Sequence, residues 1–164
     1  TTVAELETKA DQMANYLTLE EHEVIKSKNF KVCLATTDVH EYGKVLIEAV
    51  LKRIGVEIID AGVSSDPDVV ARKAIRKSAS FVAISTYNGV ALDYLERLFQ
   101  EFSLHDIKIP IFVGGKLNQV KDGDKSDLPQ DVTQELKDLG AIVCYTVEDL
   151  LNELIRMSQG ARYD

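Results

Sequence analysis

The 164-residue chain predicts an α/β domain built on a five-stranded parallel sheet with helices on both faces. Three observations lead there. From Phe30 onward the chain carries short apolar runs rich in Val, Ile and Phe, each too short for a buried helix and each reading as a buried parallel strand. Stretches of helical periodicity alternate with these runs, and right-handed crossovers then place helices on both sides of the sheet. The size favours the flavodoxin-like strand order 2-1-3-4-5 over a six-stranded Rossmann sheet.

Residues 1–29 read as an N-terminal helical extension, and 30–164 as the α/β domain. Thr18-Leu19-Glu20-Glu21 fits a capping box, which ends a first helix near Leu17 and begins a second turn there. The strand runs are 30–37 (FKVCLATT), 56–62 (VEIIDAG), 80–86 (SFVAIST), 108–115 (KIPIFVGG) and 141–146 (AIVCYT). Between the first two, Val45, Leu46, Ala49, Val50 and Ile54 recur at helical spacing. Val69, Val70, Ala74 and Ile75 do so after the second run, introduced by Ser65-Asp66-Pro67 with proline at the first helical position. Leu92, Leu95, Leu98, Phe99 and Phe102 form the third stripe. Pro129 to Leu139 makes the fourth helix, and Glu148 to Met157 the fifth, capped by Thr146. Residues 116–128 are the one long polar loop.

A net charge of −8 repels phosphate backbones and anionic lipid, which argues against nucleic acid and membrane surfaces as main partners. No run of about 18 apolar residues is present to span a bilayer. The N-terminus has neither a basic n-region nor an apolar h-region, and its missing initiator Met suggests removal or trimming. Cys33 and Cys144 sit inside strand runs and read as small buried apolar residues. With no cysteine pair motif and no signal, the expected location is the cytoplasm.

In such a sheet, ligands lie outside the carboxyl ends of the strands. There strand 1 ends in Thr37-Asp38-Val39-His40-Glu41-Tyr42-Gly43, strand 3 in Ser85-Thr86-Tyr87-Asn88-Gly89, and strand 4 in Gly114-Gly115. Asp38 and His40 are two apart in a loop, so a turn can bring the carboxylate onto the imidazole, as outer partners do for metal-bound histidines. His22 and His105 lie elsewhere and no acid cluster completes a tetrahedral set, which disfavours a protein zinc site. A lone histidine with an aspartate partner suits a metal that brings its own macrocycle. An exposed loop histidine beside an acid has the same spelling, and these two residues leave both readings open. The glycines add a slot with small walls, where bare backbone lets a flat ligand approach.

Asp38-x-His40-x-x-Gly43, Ser85-x-x-x-Gly89 and Gly114-Gly115, in order and on the expected elements, resemble the motif of the base-off/His-on B12-binding domains. That family includes the cobalamin subunit of glutamate mutase, the C-terminal domain of methylmalonyl-CoA mutase and the corrinoid-binding half of methionine synthase. The resemblance covers about residues 30–158. It implies that His40 displaces the dimethylbenzimidazole as lower axial cobalt ligand and that Asp38 hydrogen-bonds His40. It further implies that the displaced tail threads between the helix after strand 1 and the sheet, with room left by Gly43, a hydrogen bond from Ser85 and a channel lined by Gly114 and Gly115. The implied cofactor-binding set is Thr37, Asp38, Val39, His40, Glu41, Gly43, Ser85, Thr86, Tyr87, Gly89, Gly114 and Gly115, with no catalytic residue in this chain alone. Family members often have Leu where this chain has Tyr87, and the charged loop after Gly115 departs from them as well.

Within the family, methyl-transfer corrinoid carriers bear a four-helix cap, for which 29 residues are too few, so the chain resembles stand-alone mutase subunits better. The expected cofactor is therefore adenosylcobalamin, with methylcobalamin as the alternative. The expected partner is a larger (β/α)8-barrel chain that encloses the substrate, with Tyr42, Asn88 and Lys116 near the docking face. The alternative is a corrinoid protein for methyl transfer, or a B12 carrier or sensor without its own chemistry. An aminomutase lysine would fall at Leu51, with Lys52 adjacent, which disfavours that branch. A receiver domain fails because strand 3 ends in Ser85-Thr86 instead of a phospho-acceptor Asp, and Thr36-Thr37-Asp38 is a poor flavin phosphate loop.

Overall fold

In the computed structural model, residues 2–37, 42–63, 65–87, 89–119 and 130–161 are described. Thr18 breaks the N-terminal helical segment into α1 (Val3–Ala14) and α2 (Leu19–Ser27). The Thr18 hydroxyl accepts from the Glu21 N–H at 3.1 Å, while the Thr18 N–H donates to the Glu21 carboxylate at 2.9 Å, the reciprocal cap expected from the sequence. α1 packs on α3 and α2 on α7.

The strands are β1 (Lys31–Thr36), β2 (Glu57–Val63), β3 (Phe81–Thr86), β4 (Ile111–Gly115), β5 (Asn118–Gln119), β6 (Gln130–Asp131) and β7 (Ile142–Val143). The helices after α2 are α3 (Tyr42–Arg53), α4 (Pro67–Arg76), α5 (Ala91–Leu104), α6 (Thr133–Leu139) and α7 (Val147–Ser158). The main sheet is parallel with order β2-β1-β3-β4-β7, the flavodoxin-like order read from the sequence. Alternation along β1 explains the two cores. Cys33 and Ala35 point to one face, where they meet α4, α5 and α6; Val32 and Leu34 point to the other, where they meet α3, α7 and the two N-terminal helices. Central β3 is buried at every position, as a strand covered on both sides must be, whereas edge strand β2 is not. Phe81 stacks edge-on against Phe112 with centroids 5.3 Å apart.

Three expectations are corrected. The fourth helix begins at Thr133, not at Pro129, a position outside the described residues. Asp131 accepts the Thr133 N–H at 2.8 Å, so the chain turns there, and Gln130–Asp131 pairs antiparallel with Asn118–Gln119. The segment after Gly115 is thus partly strand, with residues 120–128 of the expected loop outside the described set. Gln119 is buried, and its amide oxygen accepts the Asp93 N–H at 3.1 Å, capping α5 where Val90 has no side chain to do so. Secondly, strand 4 starts at Ile111 and not at 108, because Pro110 lends a carbonyl to Val82 but has no N–H for the ladder. Thirdly, Val45 and Val69 belong to no core stripe: they are 39% and 40% exposed, while the adjacent Leu46 and Val70 face inward. Neighbours on a helix sit about 100° apart, and here Val45 and Val69 fall on the solvent side of their inward-facing neighbours.

Candidate functional site

The strand order reverses direction between β1 and β3. β1 runs into α3 on one face and β3 into α5 on the other, which opens a crevice at the carboxyl edge between them. Register then gathers the residues singled out in the sequence. Thr36 lies beside Ser85 and Ser85 beside Gly114, while Thr86 lies beside Gly115. The Thr37 N–H donates to the Ser85 carbonyl at 3.0 Å, and the Thr37 hydroxyl donates to that of Thr86 at 2.8 Å. Asp38, Val39, His40 and Glu41 lie outside the described residues, as does Asn88. The structure therefore brings together Thr37, Gly43, Ser85, Thr86, Tyr87, Gly114 and Gly115, and shows Gly89 at φ 76 following them.

Behind this row lies a slot of about 120 Å³ between the sheet and helices α3 and α7. Leu34, Ala83, Phe112 and Cys144 form its floor, and Ile47, Val147 and Leu150 its roof. Ser85 is its buried polar group, only 3% exposed, and its hydroxyl has no hydrogen-bond partner among the described residues. A buried hydroxyl left unpaired costs about 1–3 kcal/mol, so Ser85 is a site where a further polar partner would be stabilised. A larger hollow of about 620 Å³, lined in part by Phe99, Lys108, Pro110 and Gly140, opens at the opposite, amino end of β4 and β7. None of the motif residues reaches it, so volume is a poor guide in this fold.

The glycines differ in cause. A Cβ on Gly115 would strike the Thr86 carbonyl, and its φ of 106 is a conformation that L side chains rarely adopt. A Cβ on Gly114 would come 2.9 Å from the Cys144 carbonyl, so the close approach of the segment after β7 demands a glycine there. Gly43 is another matter. A Cβ there would meet only ordinary contacts, the Ser85 hydroxyl at 3.5 Å and the Tyr87 hydroxyl at 3.6 Å. Among the described residues nothing requires glycine at 43, and the space it leaves faces Ser85.

One residue that the sequence reading missed is Lys44. It follows Gly43, is buried, and its Nζ meets Asp60 Oδ1 of β2 at 2.8 Å. That hydrogen bond, helped by the Gly62 N–H at 2.7 Å, holds the Asp60 carboxyl below the usual carboxylate range against its desolvation. A basic residue opening a helix opposite an acid late in β2 was the available signal. Tyr145, which lines the slot mouth, was also missed; it falls at the end of a run read only as strand. Burial raises the thiols of Cys33 and Cys144 to about 11 and about 12, so both stay protonated and act as apolar filler. His22 and His105 hydrogen-bond the Ala14 and Glu101 carbonyls at helix ends, away from the carboxyl edge. No helix among the described residues is long and apolar enough to cross a membrane.

Residues 32–139 match the B12 binding domain family. In fold the chain is similar to a cobalamin-binding protein from Desulfitobacterium hafniense DCB-2, with a TM-score of 0.61 and 17% identity over 82% of this chain and 66% of that one. It is likewise similar to the methanol:cobalamin methyltransferase complex of Methanosarcina barkeri (TM-score 0.64, 15% identity, 80% of this chain and 47% of that one). The monomethylamine corrinoid protein of Methanosarcina barkeri gives a TM-score of 0.61 at 16% identity, over 90% of this chain and 68% of that one. At these identities the likeness is one of fold.

Proposed function

The chain belongs to the B12-binding domain family, and from that premise we propose that it carries cobalamin base-off, with His40 on the cobalt, for chemistry completed by a partner chain. The observation that carries this reading is the slot itself. It is walled by apolar side chains, opens beside Gly43, and offers at its carboxyl end one buried hydroxyl, Ser85, with no partner among the described residues. The lining suits the edge of a flat, largely apolar ring with one acceptor nitrogen, and the displaced nucleotide base of cobalamin has that chemistry. In this assignment Ser85 donates to the base, Gly43 and Gly114 leave room along its path, and Thr37 and Thr86 hold the ends of β1 and β3 in register. Asp38 orients His40 and raises its donor strength.

When bound, adenosylcobalamin supplies a cobalt–carbon bond that breaks homolytically for rearrangement, and methylcobalamin supplies a methyl group for transfer. We assign the adenosyl form and a carbon-skeleton mutase with a (β/α)8-barrel partner, on the resemblance of the motif set to stand-alone mutase subunits. The fold neighbours favour the second reading, since one is a methanol:cobalamin methyltransferase complex and another a monomethylamine corrinoid protein. In that case the chain presents a methyl-bearing corrinoid to a methyltransferase.

The experiment is spectroscopic. The purified protein loaded with cob(II)alamin is expected to show nitrogen hyperfine splitting that changes on 15N-histidine labelling. His40→Ala is expected to abolish that change and to release most of the cofactor. Splitting that is indifferent to labelling would overturn the His-on assignment.

A further inference from the structure

We propose that Lys44 is a positioning residue for the nucleotide tail: its ion pair with Asp60 tethers the first turn of α3 toward β2 and so keeps the slot beside Ser85 open. The proposal rests on the cobalamin-carrying reading above. Among the described residues Lys44 is the one buried charged side chain, 6% exposed, while the other buried positions of α3, Leu46, Val50 and Leu51, are apolar. A buried ion pair is weak support for stability, since apolar side chains of similar volume often serve as well or better. What the pair adds is direction, because it joins α3 to one atom of one strand. The far end of the tether is itself held. Asp60 lies late in β2, where its Oδ1 accepts from the Lys44 ammonium at 2.8 Å and from the Gly62 N–H at 2.7 Å. Lys73 of α4 donates to the Asp60 carbonyl, which fixes the strand from the α4 side as well.

The sheet order decides which way the tether pulls. In β2-β1-β3-β4-β7, β2 lies on one side of β1, and the slot strands β3 and β4 lie on the other. α3 follows β1 and packs on β1 and β2, with Lys44 reaching β2 while Ile47 lines the slot. An opening walled by apolar groups favours its own closure, because Ile47 would bury more surface by moving onto Phe112 and Leu150. The tether opposes that movement by holding the same helix to the strand farther from the slot. Gly43 stands one residue before Lys44, so the space it leaves beside Ser85 depends on where this turn sits.

The test measures equilibrium affinities of the full chain for two corrinoids by absorbance titration. They are cobalamin and cobinamide, which lacks the nucleotide tail. Wild type is expected to bind cobalamin more tightly than cobinamide, through the tail's contacts in the slot. If loss of the tether leaves the slot open in about one molecule in ten, Lys44→Met weakens cobalamin binding about tenfold, with cobinamide changed by less than about twofold. Asp60→Asn is expected to reproduce the effect, and the double variant to add nothing to either single one, because all three break one contact. Asp60 is a half-exposed carboxylate, so Asp60→Asn decides even where Lys44→Met does not fold. Lys52→Ala, which removes the surface pair Glu48–Lys52 of the same helix, is expected to leave both affinities as in wild type. A merely structural pair would lower the unfolding free energy in urea and leave the cobalamin-to-cobinamide ratio alone, and that result overturns the proposal. Equal weakening of both corrinoids overturns it too, by moving the effect off the tail. A wild type that binds both equally removes the tail from the slot, and the proposal with it. One that binds neither overturns the cobalamin reading itself.

Discussion

Gly43, Gly114 and Gly115 look alike as letters and differ in what each is for. Gly115 is held at φ 106 against the Thr86 carbonyl, and Gly114 is pressed by the Cys144 carbonyl, so the backbone forbids a side chain at both. Gly43 sits in the first turn of α3, where an added methyl meets nothing closer than 3.5 Å among the described residues. Glycine in a helix costs up to about 1 kcal/mol relative to alanine, and under the proposed reading the space it leaves serves the ligand. Gly43→Ala is therefore expected to raise the unfolding free energy measured in urea by up to about 1 kcal/mol and to weaken cobalamin binding at least tenfold. Gly115→Ala is expected to lower that free energy by roughly 1–3 kcal/mol, for a residue held in a strained conformation. Equal loss of stability in both variants would refute the distinction. At this scale the letters pointed to residues that share the carboxyl edge, but not to the causes that place them there. The pattern Ser85, Gly89, Gly114, Gly115 is visible in letters, whereas the sign of φ and the 2.9 Å approach of Cys144 to Gly114 arise only when distant strands pair.

Elements show the same division between period and partnership. Strand runs and helical stripes were legible because burial imposes periods of two and 3.6 on the letters, and the capping boxes at Thr18 and Thr146 marked two helix starts outright. Illegible were the start of α6, which an Asp131 turn decides, and the cap of α5, which Gln119 supplies from another element. The Lys44–Asp60 contact is of this second kind, joining the first turn of α3 to β2 and so bracing the helix that opens the slot. Because Asp60 has a lowered pKa in the folded chain, its pairing stabilises the protein fully above the unfolded carboxylate value of about 3.9. That contribution disappears as pH falls through the lower, folded value. Thermal midpoints measured from pH 6 down to pH 2 are expected to fall more gently for Asp60→Asn than for wild type. At neutral pH the variant is expected to be less stable by about 1–3 kcal/mol, since it strands a nearly buried ammonium beside a half-exposed partner. Parallel acid profiles would remove the pair from the account of what holds α3.

At the level of the whole molecule, strand order was readable, because five runs at this length leave few sheet orders that put a switch point beside β1, and in such sheets ligands lie at that switch point. What is enclosed is a different matter. Helices α4, α5 and α6 cover one face of the sheet, α3 and α7 the other, and α1 and α2 pack on α3 and α7. At the carboxyl edge Tyr42, Tyr87 and Tyr145 are 44%, 44% and 68% exposed, an aromatic rim of the sort that association surfaces use. Reactive cofactor chemistry needs water excluded, and the described residues place no lid over that rim. Under the proposed reading, the choice between rearrangement and methyl transfer would fall to a partner, and letters shared across the family would not decide it. The loaded chain alone is expected to show no turnover with adenosylcobalamin or methylcobalamin. Adding a barrel mutase chain is expected to give substrate-dependent cob(II)alamin with the adenosyl form; a methyltransferase partner would instead give demethylation of the methyl form. Tyr42→Ala and Lys116→Glu, both on exposed residues at this edge, are expected to lower partner-dependent rates about tenfold while leaving cobalamin affinity within about twofold. Steady turnover by the chain alone would mean that this edge closes by itself, and that the exposed tyrosines serve the substrate instead of a partner.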